Sequence, residues 1–151
     1  MKISESLTKF WRVKSPIFQW QISGKAPLEP YGRPIDPWIG DKSNGEISYY
    51  KSPLSISNYY WHSFDWLRDL RELSNDKARL RSRELCLEWI SKNFHWNQNS
   101  WSPDIMGKRI SNIILCYSSF ADTADTSFQE NLMMHFAKQV RCLEIDQKHL
   151  V

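Results

Sequence analysis

The residues able to do chemistry are scattered through this chain rather than gathered. His135, Cys142 and His149 recur every seven positions on one predicted helix. Seven residues of α-helix rise about 10.5 Å, too far for one zinc ion to bridge, so an amphipathic helix accounts for them better than a metal site. His62 and Asp65 are helical neighbours with no third group in view. No Gly-x-Ser-x-Gly elbow, glycine-rich phosphate loop or His-Glu-x-x-His is present, so neither a nucleophile with its base nor a bound cofactor is indicated. Two tryptophans stand out. Trp96 and Trp101 lie in the polar loop Asn93-Phe94-His95-Trp96-Asn97-Gln98-Asn99-Ser100-Trp101. A flat indole beside amides suits a saccharide, whose CH face stacks while its hydroxyls find hydrogen bonds; the competing role is buried packing with the indole N–H satisfied. Arg109, close to an apolar stripe, has the fork to hold a carboxylate, as a ligand contact or as a structural ion pair.

These residues must be positioned by the second of two unlike parts. Positions 1–55 hold six of the seven prolines and four of the five glycines. Ile17-Phe18-Gln19-Trp20-Gln21-Ile22 alternates like a strand, and Gly24-Lys25-Ala26-Pro27 and Ser43-Asn44-Gly45 read as turns. This part is predicted to be an extended, loop-rich segment packed on the rest. Positions 56–151 carry helical periodicity in four stretches. The first spans Ser57 to Leu73, with Tyr60, Phe64, Leu67 and Leu70 on one stripe. The second spans Asp76 to Phe94, with Ala78, Leu85, Cys86, Trp89, Ile90 and Phe94 facing inward and a basic run from Lys77 to Arg83 set against Glu84 and Glu88. A third opens on Ser102-Pro103-Asp104, where Ser can cap, Pro suits the first turn and Asp favours the positive end of the dipole. The fourth begins near Thr126, with Gln129 placed to complete a capping box. Short links between them predict antiparallel helical hairpins in a mostly α fold, with the apolar outer faces of the first and last helices left uncovered.

Composition narrows the function classes. A chain of 151 residues is one domain, and Lys plus Arg exceed Asp plus Glu by 20 to 17, a balance that argues against nucleic acid as the partner despite the basic second helix. Three widely spaced cysteines with no C-x-x-C argue for reduced thiols. No apolar run is long enough for a bilayer and Met1–Leu7 lacks an apolar core, so a soluble, cytoplasmic protein is expected.

Trp61-His62-Ser63-Phe64-Asp65-Trp66-Leu67-Arg68-Asp69-Leu70, Trp89-Ile90, Trp101-Ser102-Pro103-Asp104 with Arg109-Ile110, Gln139-Val140-Arg141 with Leu143-Glu144, and upstream Asp36-Pro37-Trp38-Ile39-Gly40-Asp41 together resemble the N-terminal region of bacterial heparinase II/III-like proteins. The resemblance implies part of an (α/α) toroid and, in intact relatives, β-elimination on uronate-containing polysaccharide. The Asn-His motif of that family would follow the last helix, where this sequence reads Gln147-Lys148-His149-Leu150-Val151, so no catalytic role carries over. The reading implied is a truncated, inactive piece of a lyase that keeps at most Trp96, Trp101 and Arg109 as contacts to an acidic polysaccharide. The rival is a self-standing helical interaction module that associates with itself or a partner through exposed apolar faces.

Overall fold

The computed structural model describes residues 15–148, which form seven α-helices and no strand. Helices α1 (Pro16–Ile22) and α2 (Lys42–Tyr50) flank a largely extended stretch at 23–41, and a single 3₁₀ turn, Pro53–Ser55, leads into α3 (Asn58–Ser63) and α4 (Asp65–Arg71). Three long helices follow: α5 (Asp76–Lys92), α6 (Pro103–Phe120) and α7 (Thr126–Lys148). The mostly α fold with a loop-rich N-terminal segment is as the periodicity predicts. No helix among the described residues is long and apolar enough to cross a membrane. The start of the chain and His149 lie outside the described residues.

Local departures have local causes. Ile17–Ile22 is helical, not extended, because Ser15 accepts the Phe18 N–H and Pro16 occupies the first helical position. Ser43-Asn44-Gly45 is no turn: Asp41 caps α2 by accepting the Asn44 N–H, and Gly45 is needed inside the helix for its lack of a side chain. A Cβ on Gly45 would sit 2.3 Å from the Asp69 carbonyl oxygen of α4.

The helix expected over 57–73 is two helices because Phe64 adopts the left-handed conformation, φ 63°. That break leaves carbonyls open at the end of α3. Trp66 Nε1 donates to the Trp61 oxygen at 3.1 Å, Arg109 Nη1 to His62 at 2.8 Å and Asn112 Nδ2 to Ser63 at 2.9 Å. The strained residue is itself buried against Trp66 and Trp89, which offsets the roughly 1–2 kcal/mol cost of the backbone.

The third helix has Pro103 and Asp104 in its first turn as predicted, but the Ser102 side chain, expected to cap it, accepts no backbone N–H of the helix. The capping box of the fourth is displaced by one residue. Asp125 accepts the Phe128 N–H, while Gln129 donates instead to the Ala121 oxygen and closes the end of α6. Arg83 also leaves the solvated basic face, donating to the Phe120 oxygen at 2.6 Å and to Thr123 Oγ1 at 2.8 Å.

The main core lies among α3 to α7 and centres on Phe64, Trp66, Leu67, Leu85, Trp89 and Tyr117. A second, smaller core forms where α1 lies on α7, joining Phe18 and Ile22 to Trp101, Met106 and Cys142. The expectation of an uncovered last helix is therefore corrected over this stretch, since α1 covers it. Exposed apolar side chains concentrate instead in the N-terminal segment. Phe94, expected to face inward, is partly exposed beyond the end of α5.

Candidate functional site

Exposed apolar side chains stand on the strap Pro34-Ile35-Asp36-Pro37-Trp38-Ile39-Gly40-Asp41, which is hydrogen-bonded along α4. Proline gives it no regular hydrogen-bond ladder, so its polar groups must be satisfied by side chains. Three residues of α4 and Glu72, which follows its last turn, do this. Arg68 Nε and Arg71 Nη1 each reach Asp36 Oδ2 at 2.8 Å, and Arg71 Nη2 donates to the Trp38 oxygen at 2.7 Å. The Gly40 N–H donates to Glu72 Oε1 at 3.1 Å and the Asp41 N–H to Asp69 Oδ1 at 2.7 Å. Gly40 is required, because a Cβ there would meet the Arg68 carbonyl oxygen at 2.5 Å. Further upstream, Arg33 clips the segment to Asp122 at 2.9 Å and lies over the Tyr117 ring.

Charge in the clasp is well matched. The Asp36 side chain is 2% exposed. Burial pushes its carboxyl upward, but the hydrogen bonds from Arg68 and Arg71 prevail and hold it below the usual carboxylate range. Asp69, buried without a cation, is raised by desolvation; it accepts the Tyr60 hydroxyl at 2.7 Å. With its proton given to Asp69, the Tyr60 oxygen is left to accept from Ser48 Oγ, 3.2 Å away. Against this anchored inner edge, Ile35 is 91%, Trp38 66% and Ile39 87% exposed. Rigid backbone presenting bare apolar side chains is the signature of a docking surface.

The three residues singled out as saccharide contacts lie elsewhere, at the junction of α5, α6 and α7. Trp101 is fully buried and its indole donates to the Asn93 oxygen at 3.0 Å, a packing arrangement with the N–H satisfied. Trp96 is half-buried against the smaller core. Arg109 is fully buried, and its partners correct the expected ion pair: Nε donates to Gln139 Oε1 at 2.7 Å, Nη1 to the His62 oxygen, and the guanidinium lies 4.1 Å from the centre of the Trp89 ring. No carboxylate pairs with it among the described residues. Desolvation lowers Arg109 to about 9. Its bonds join α3, α6 and α7, a positioning role for a residue at this crossing. His62 and Asp65 do not form a pair of their own: His62 Nδ1 accepts the Trp89 indole N–H at 3.0 Å, and Asp65 accepts from Asn112 at 2.9 Å.

In the sequence the strap shows only as Asp36-Pro37-Trp38-Ile39-Gly40-Asp41, part of a family resemblance, with nothing that marks it as a surface. Its signal is apolar residues on both sides of Pro37, with the Asp36 carboxylate among them opposite a helix carrying two arginines. Among the described residues no group of three or more His, Cys, Asp or Glu is arranged to hold a metal ion.

No family model matches the chain. No solved structure matches it either. The chain is similar to FtsZ-localized protein C of Caulobacter vibrioides (strain NA1000 / CB15N), 32% identical over 133 residues, which cover 78% of this chain and 23% of that protein. It therefore spans less than a quarter of the length of the curated relative it matches. The heparinase II/III-like resemblance is corrected by these results: no family model supports it, and the relative found is described by its localization at FtsZ. The polysaccharide partner implied by that resemblance has no other support.

Proposed function

We propose that this chain is a helical protein-interaction module without enzymatic activity, which docks a partner polypeptide on the strap 34–41. The observation that carries this reading is the exposure of Ile35, Trp38 and Ile39 on backbone fixed from beneath by Asp36, Arg68, Arg71 and Glu72. Apolar side chains held this far out of the core add nothing to folding, whereas burying them against a partner removes large apolar area from water at little ordering cost. The likeness to FtsZ-localized protein C makes FtsZ the partner to test.

The test is co-sedimentation with polymerised FtsZ from the bacterium that encodes the chain. We expect the chain to pellet with the polymer, and the double variant Trp38→Ala, Ile39→Ser to lose at least tenfold in affinity while its unfolding midpoint stays put. Pelleting that ignores both substitutions, or no pelleting at all, would overturn this reading.

A further inference from the structure

A second feature lies on other elements. Where the end of α1 meets α7, a pocket of about 120 Å³ is lined by Ile22, Ser23, Gly24, Phe94, Met134, His135, Lys138 and Arg141. None of these residues is acidic. His135 is buried, and neither ring nitrogen has a hydrogen-bond partner. Its imidazole is hemmed by the edges or faces of Trp89, Phe94 and Trp101, so the pocket is the side from which a polar partner can come. A buried group that could bond and does not costs about 1–3 kcal/mol, which a ligand would recover. Lys138 lies over the Phe94 ring at 4.4 Å and has no carboxylate partner among the described residues. Its sole hydrogen bond there is a long one, 3.5 Å to the Phe94 oxygen.

We propose that this pocket receives the carboxylate of one acidic side chain from a partner polypeptide, with Lys138 as its counter-charge and His135 donating one N–H. The proposal rests on the reading of the chain as an interaction module, and the pocket and the strap use different helices, so each can fail without the other. A carboxylate fits better than a phosphate for two reasons. Ile22, Phe94 and Met134 form apolar walls suited to side-chain methylenes. The one guanidinium among the described residues that line the pocket, Arg141, already spends its fork on the Ile22 and Lys25 carbonyls, so the bidentate grip that phosphate favours is taken.

The experiment follows backbone and imidazole NMR shifts of the full chain during titration with three probes: N-acetylglutamate methylamide, N-acetylglutamine methylamide and inorganic phosphate. We expect the glutamate probe to saturate in the range of about 1 mM, as suits a single short contact, with the largest shifts at His135 and Lys138. The glutamine probe, of the same shape without the charge, should bind at least tenfold more weakly. Lys138→Met should weaken the glutamate probe at least tenfold and Lys138→Arg should restore it. Equal binding of glutamine and glutamate, no saturable shift with either, or indifference to Lys138→Met would overturn the proposal. Binding of phosphate alone would also overturn it and assign the pocket to a free oxyanion. Because the glutamate–glutamine comparison uses the unaltered protein, it decides the matter even if a variant fails to fold.

Discussion

Gly45→Ala and Gly107→Ala make the same chemical change inside two helices and should move stability in opposite directions. Alanine gains about 1 kcal/mol over glycine in a helix interior. At Gly107, in α6, a Cβ would meet nothing within 4 Å, so the gain should appear almost whole. At Gly45 the new Cβ would lie 2.3 Å from the Asp69 carbonyl oxygen and 2.8 Å from its carbon. An ordinary carbon–oxygen contact is about 3.4 Å, so α2 must retreat from α4 by about 1 Å. Overpacking against backbone, which has no rotamer to yield, belongs at the upper end of the usual range, about 3 kcal/mol. The retreat also stretches the Asp41–Asp69 and Ser48–Tyr60 bonds, adding about 1 kcal/mol. Setting the helix gain against these losses leaves Gly45→Ala destabilised by about 3 kcal/mol. Urea unfolding followed by tryptophan fluorescence measures both, with thermal midpoints falling by roughly 6–12 °C for Gly45→Ala and rising by about 3 °C for Gly107→Ala. A Gly45→Ala protein as stable as the parent, at unchanged m value, would show that α2 is not seated on α4 as described.

Two further outcomes follow from the buried charges. Asp36→Asn should leave the guanidinium groups of Arg68 and Arg71 poorly compensated and loosen the strap by about 2 kcal/mol; hydrogen exchange at Gly40 and Asp41 should quicken about 30-fold while α6 keeps its protection. His135 gives a pH dependence. Burial, assisted by Lys138 and Arg109, lowers its imidazole to about 4, whereas the unfolded chain titrates near its ordinary value of about 6.5. As pH falls below about 6.5 the unfolded state takes up a proton that the folded state refuses, so stability should decline until about pH 4, by up to about 3 kcal/mol. His62, lowered by burial and by Arg109, works in the same direction. The urea midpoint between pH 7 and 4 measures this slope, and His135→Leu should flatten most of it.

The helices were legible because their signals are local. Pro103 and Asp104 mark the first turn of α6 locally, and the 3.6-residue spacing of Leu85, Trp89 and its neighbours marks the buried face of α5. What escaped was non-local. Nothing in Ser57–Leu73 announces that Phe64 will turn left-handed; that conformation depends on Arg109 and Asn112, far along the chain, capping the carbonyls it frees. The four-residue spacing of Phe18 and Ile22 fits either period, and the Ser15–Pro16 cap decides it. Gly45 looked like a turn former because its other use, letting two helices touch, appears only once α4 is in place.

The same non-local logic separates the strap from an ordinary exposed loop. A free loop of this composition would need to be ordered on binding, at a cost of about 1 kcal/mol or more for each residue fixed. Here α4 has already met that cost during folding, using the carboxylates of Asp69 and Glu72 and the guanidinium groups of Arg68 and Arg71. Trp38 and Ile39 consequently keep their apolar area available to a partner with little of it spent on immobilisation. It follows that Asp36→Asn, which removes no contacting atom, should weaken partner binding alongside the direct contact variants. Full affinity with a loosened strap would mean that the partner reads the side chains of this segment and not its shape.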